Sequence, residues 1–122
     1  MTNMNLKGDN CMKLSENKKG DILFLELNGR FDATTTSEFE SKVKAIIGQG
    51  EKKLAIDFTN LDYINSSGLR VILMAAKELK KIEGKLVLFA MKDHIKEIFD
   101  MTGFTSIINI VKTEAEAVEK LK

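Results

Sequence analysis

Residues 53–69 read KLAIDFTNLDYINSSGL, and the change of character along this stretch decides the fold. Lys53–Phe58 is a short, nearly continuous apolar run, the pattern of a strand covered on both faces. From Ser66 the period becomes helical: Leu69, Ile72, Leu73, Ala76 and Leu79 recur on one side, with Lys77, Lys80, Lys81 and Glu83 on the other. This predicts a helix over Ser66–Ile82, with Asn65 or Ser66 as its N-cap and Gly84 as its stop. A second buried run, Lys85–Phe89, follows at once, so the segment reads as one β-α-β unit.

The flanks extend the pattern. Upstream, Asp21–Asn28 (DILFLELN) reads as a buried strand ending at Gly29, with Cys11–Glu16 as a shorter partner in a hairpin over Asn17–Gly20. Thr34–Ile47 carries Phe39, Val43, Ile46 and Ile47 at helical spacing, and Thr35 with Glu38 suggests a capping box. Downstream, Asp93–Met101 is a helix stopped by Gly103, Ser106–Val111 a last strand and Thr113–Leu121 a last helix. Met74, Met91 and Met101 lie among apolar residues and read as core filler. The order β-β-α-β-α-β-α-β-α implies an α/β layer fold, a mixed sheet of four to five strands with about four helices.

Composition narrows the function. The chain has 122 residues, 43% apolar and 30% charged, which fits one folded domain preceded by a flexible tail over 1–10. Nineteen basic residues against eighteen acidic ones leave a net charge of +1 and no global field for nucleic acid or anionic membrane. The longest apolar runs are too short to span a bilayer, and the first ten residues have no apolar stretch of signal-peptide type. One Cys and one His cannot build a Cys/His zinc site, and no Walker motif or nucleophilic triad is visible. A cytoplasmic domain without cofactor or catalysis is the expectation.

In α/β sheets, ligands and partners meet the carboxyl ends of strands and the amino ends of the following helices. Two segments fall on that edge: Gly29-Arg30-Phe31-Asp32, and Leu61–Leu69. Capping accounts for Asn65 or Ser66 but not for Gly68, because glycine in a first helical turn costs about 1 kcal/mol against Ala. A bare backbone there offers close approach to another molecule, and two hydroxyls at the positive end of a helix dipole suit a phosphate. On this reading Gly68→Val blocks a partner with only modest change in melting temperature. Small polar residues with glycine are also ordinary turn chemistry.

Asp57–Leu69, DFTNLDYINSSGL, resembles the D-x-x-x-[LV]-x-[FY]-[IM]-D-S-S-G-L signature of STAS domains, in particular the bacterial anti-sigma factor antagonists. Gly29–Asp32 is similar to the G-[ED]-[LI]-D element of that family, and Lys92–Gly103 resembles its third helix. The likeness spans Cys11 to Leu121, making 11–122 a single STAS domain. It implies a binding module. An anti-sigma factor that is also an ATP-dependent kinase phosphorylates the first serine of the pair, here Ser66, with Ser67 the lesser candidate. A PP2C-type phosphatase reverses the modification, and the unphosphorylated antagonist, a monomer or weak homodimer, captures the anti-sigma factor. Asp32 matches the acidic residue near that serine. The partner surface implied comprises Asp32, Ala33, Thr34, Asn65, Ser66, Ser67, Gly68, Leu69 and Arg70. Asn65 stands where relatives commonly have Asp, and Arg70 where many have Gly.

Two other readings compete: a scaffold or accessory STAS domain that is not switched, and a phosphocarrier using His94. With no second His, His94 is more simply a surface residue. Cys11 reads as a small packing residue, and NSSGL is not a G-x-S-x-G nucleophile elbow.

Overall fold

The computed structural model describes residues 13–32 and 35–122. The chain runs β1 (Lys13–Lys19), β2 (Ile22–Phe31), α1 (Thr36–Gly48), β3 (Lys53–Ile64), α2 (Ser66–Lys81), β4 (Lys85–Phe89), α3 (Asp93–Thr102), a 3-10 turn (Phe104–Ser106), β5 (Asn109–Val111) and α4 (Glu114–Leu121). The five strands form one sheet in the order β1-β2-β3-β4-β5, β1 antiparallel to β2 and every other pair parallel. The α/β class and the mixed five-stranded sheet with four helices are those expected.

Three parallel crossovers that advance one strand at a time in the same direction, each of the usual hand, put their helices on one face. Accordingly α1, α2 and α3 share a core with Leu23, Leu25 and Leu27 of β2, Leu54, Ile56 and Phe58 of β3, and Leu86 and Leu88 of β4. The alternate residues Ile22, Phe24, Ala55, Val87 and Phe89 form a smaller core with Ala117 and Leu121 of α4. Period-2 alternation of apolar side chains to both faces is why these strands read as continuous apolar runs.

Several boundaries differ from expectation. The β1–β2 register pairs Lys19 with Ile22, so the turn is Gly20-Asp21, with Gly20 at φ +64°. Cys11 lies outside the described residues. β2 continues through Gly29, at φ +96°, to Phe31, and β3 runs six residues beyond Phe58 to Ile64. The β2–β3 register shifts twice in that extension, each time with an extra residue on β3. The bulges bring Phe58, Leu61 and Ile64, three apart, into the same core, which hides the strand from a period-2 reading.

The capping box expected at Thr35 and Glu38 is absent: Thr35 makes no side-chain cap bond. A full capping box forms at Thr113 and Glu116, ahead of α4. The last strand is shorter than expected because Ser106 belongs to the 3-10 turn and the Ile107 and Ile108 N–H groups donate back to the Phe104 carbonyl. In α2, Val71 and Ala75 are buried and Leu73 and Ala76 half-buried, a face turned slightly from the one expected. Met74 and Met91 pack against the core as expected, but Met101 is 84% exposed. Gly84 is not the left-handed stop. That position is Glu83, at φ +61°, and Gly84 is bare because a Cβ there would lie 2.7 Å from the Lys52 carbonyl oxygen.

Candidate functional site

The extended ends of β2 and β3 bring the two sequence-predicted segments together. The Asn65 N–H donates to the Phe31 carbonyl at 3.2 Å, so the chain leaves both strands side by side. Phe31 is held edge-on to Phe39 of α1, ring centroids 5.1 Å apart, which fixes the end of β2 from beneath. After Phe31 a tight turn follows: the Thr35 and Thr36 N–H groups donate to the Asp32 carbonyl at 3.0 and 3.1 Å. The buried Thr35 hydroxyl accepts from the Asp32 N–H at 3.1 Å and faces the carbonyls of Arg30 and Asp32. Thr35 thus organises the turn instead of capping α1. Ala33 and Thr34 lie outside the described residues.

At the start of α2, Asn65 is the N-cap, in extended backbone conformation, with its side-chain oxygen accepting from the Gly68 N–H at 3.1 Å. Ser66 is exposed and Ser67 half-buried, and neither hydroxyl is needed for the cap. Arg70, one turn on, is exposed. Gly68 and Leu69 are buried. A Cβ on Gly68 would come to 2.8 Å from Ile64 Cγ1 and 3.0 Å from both Phe31 Cδ2 and the Phe31 carbonyl oxygen. The bare backbone therefore serves close packing of α2 on its own sheet. The expectation that Gly68→Val would change the melting temperature only modestly does not fit this contact, which leaves no room for a larger side chain.

Arg30, Tyr63, Asp62 and Lys92, which the sequence reading did not weigh singly, surround these segments together with His94. The Arg30 guanidinium lies over the Tyr63 ring at 4.0 Å, as the β2–β3 register pairs the two residues, and Arg30 Nε is 3.6 Å from Asp32 Oδ2. Tyr63 is 38% exposed. The Asp62 carboxylate pairs with Lys92, and that hydrogen bond, then the Lys92 charge, holds the carboxyl below its ordinary 3.8. His94 places Nε2 at 2.8 Å from the Asp62 carbonyl oxygen, which can only accept, so this nitrogen carries a proton. His94 thus ties α3 to the end of β3. Apart from the Arg30–Asp32 pair, two residues apart on one segment, these contacts arise from the β2–β3 and β3–α3 pairings, and no local spacing signals them. Among the described residues no three His, Cys, Asp or Glu side chains cluster to hold a metal ion, and no helix is long and apolar enough to cross a membrane.

The chain matches the STAS domain family over residues 13–117. It is 35% identical to BtrV of Bordetella bronchiseptica, assigned as an anti-sigma factor antagonist, over 91% of this chain and 96% of that protein. It is 33% identical to the anti-sigma-B factor antagonist of Listeria monocytogenes, over 79% of this chain and 84% of that one. The fold is similar to that of the phosphorylated form of the Bacillus cell fate determinant SpoIIAA, with a TM-score of 0.72 and 21% identity, covering 92% of this chain and all of the other. With this sheet, this helix arrangement and these relatives, the chain belongs to the STAS domain family, among the anti-sigma factor antagonists.

Proposed function

We propose that this chain is a phosphorylation-switched antagonist that binds a kinase-type anti-sigma factor when Ser66 is unmodified and releases it when Ser66 carries phosphate. A PP2C-type phosphatase resets it, and the domain works in the cytoplasm as a binding module without catalysis or cofactor. The observation that carries the reading is the free Ser66 hydroxyl: it is exposed at the first position of α2 while its neighbour Asn65 does the capping. A kinase can reach it without undoing the helix start. The names of the relatives support an anti-sigma factor as the partner class.

The physical consequence of modification follows from charge. Phosphate adds about −1.5 to −2 charges at pH 7. Within the domain the first turn of α2 tolerates an anion, because the helix dipole favours it there. At an interface the same group must lose water and meet a surface shaped for a neutral hydroxyl, and the binding surface of Asp32, Asn65, Ser66, Ser67 and Arg70 is then spoiled without unfolding.

Incubation with the cognate anti-sigma factor and ATP, followed by mass spectrometry of peptides, tests this. One phosphate on Ser66 is expected. Phosphate on His94, or none on any residue, would overturn the switch and leave a phosphocarrier or a scaffold domain in its place.

A further inference from the structure

Arg70 is the cation nearest in sequence to Ser66 on α2, four residues on. Positions four apart on a helix are surface neighbours, about 5–6 Å between Cβ atoms, and the favoured order places the anion on the N-terminal side. Ser66 and Arg70 have that order, and both are exposed. Arg70 makes no hydrogen bond or ion pair among the described residues, whereas the other nitrogen-bearing side chains at this end of the sheet are engaged. Arg30 is stacked on Tyr63 beside Asp32, and Lys92 is held by Asp62. His94 has its Nε2 proton on the Asp62 carbonyl.

We propose that Arg70 is the internal counter-ion of a phosphate on Ser66, so that modification draws the guanidinium back onto the first turn of α2 and away from the surface offered to a partner. The proposal rests on the reading of Ser66 as the modified residue. A planar guanidinium on a phosphate forms two parallel hydrogen bonds, which a lysine at the same place cannot reproduce. The modified state would therefore differ from the free state in two ways at once: a new anion appears, and the free cation beside it is withdrawn. A partner that reads Arg70 with a carboxylate would lose that contact as well as meeting the phosphate.

The test does not need the kinase. Phosphoserine is inserted at position 66 during translation by a phosphoserine-charged suppressor tRNA, and the second ionisation of its phosphate is followed by phosphorus NMR. A nearby cation favours the dianion, so Arg70 should lower that pKa and Arg70→Gln should raise it by about 0.4–0.7 units. Arg70→Lys should fall between the two, and Lys77→Gln, three turns along the helix, should match wild type. Arg70→Gln titrating within about 0.1 unit of wild type would overturn the pairing, since a bystander on the same helix moves the phosphate no more than Lys77 does. Failure of any kinase to modify Ser66 in a separate assay would remove the switch and leave the measured pairing intact.

Discussion

Gly68 rests on Phe31: a single Cβ at position 68 would lie 3.0 Å from the Phe31 carbonyl oxygen, the same oxygen that accepts from the Asn65 N–H. The start of α2 is thus pressed against the end of β2 at one point, and that contact sets the position of Ser66. Gly68→Ala improves intrinsic helix propensity by about 1 kcal/mol yet must push Phe31 or Ile64 aside. Overpacking of this kind costs about 1–3 kcal/mol, so the net effect expected is a lower melting temperature. Gly68→Val should be worse still. Thermal unfolding followed by circular dichroism checks both, and an unchanged or raised midpoint for Gly68→Ala would show that α2 can move.

The end of α2 offers a contrast between two adjacent residues. Glu83 is exposed and held at φ +61°, a conformation that costs a side chain roughly 1 kcal/mol and a glycine almost nothing. Glu83→Gly should stabilise the domain by about 0.5–1 kcal/mol. Gly84→Ala should destabilise it, because its Cβ would meet the Lys52 carbonyl at 2.7 Å and Leu79 Cδ2 at 2.9 Å. Urea denaturation of the two variants should shift the midpoint in opposite directions.

The Asp62 carboxyl titrates below 3.8 in the folded chain because Lys92 hydrogen-bonds it. A depressed carboxyl pKa favours the folded state above the unfolded value and loses that contribution as pH falls through the folded one. The tie between α3 and β3 should therefore hold at neutral pH and fade below about pH 4. Lys92→Ala should return the Asp62 titration toward 3.8, read by carboxyl-carbon NMR, while an unmoved titration would mean the pair does not persist in solution.

How much of this the sequence carried depends on whether a feature is periodic. Strands at Leu23–Leu27, Leu54–Phe58 and Leu86–Phe89 and the amphipathic faces of the helices follow from alternation or helical spacing within one segment, and the structure keeps them. The extension of β3 to Ile64 was not legible, because two bulges reverse the parity of its apolar residues, and Thr59-Asn60 looks like a turn. Thr35 had the sequence of a cap but uses its hydroxyl on the local Asp32 turn, where the Asp32 N–H and the Arg30 and Asp32 carbonyls compete with the first turn of α1 for it. At the candidate site, a cap at Asn65 or Ser66 and the exposure of Ser66 could be read locally, and the bond from the Gly68 N–H decides for Asn65. The burial of Gly68 against Phe31, and the stacking of Arg30 on Tyr63, needed the strand register, which no single segment contains.

The central claim is that the charge state of residue 66 decides partner binding while the fold stays put. The most direct measurement is calorimetric titration of the cognate anti-sigma factor, in ADP, with wild type, Ser66→Ala and Ser66→Asp. Wild type and Ser66→Ala should bind alike. Ser66→Asp should bind more weakly by tenfold or more, since like-charge contact at an interface costs several kcal/mol and about 1.4 kcal/mol is already a factor of ten. Equal melting temperatures across the three would place the effect at the interface. Three affinities agreeing within about a factor of two would contradict the account and leave Ser66 as an ordinary residue of a helix start.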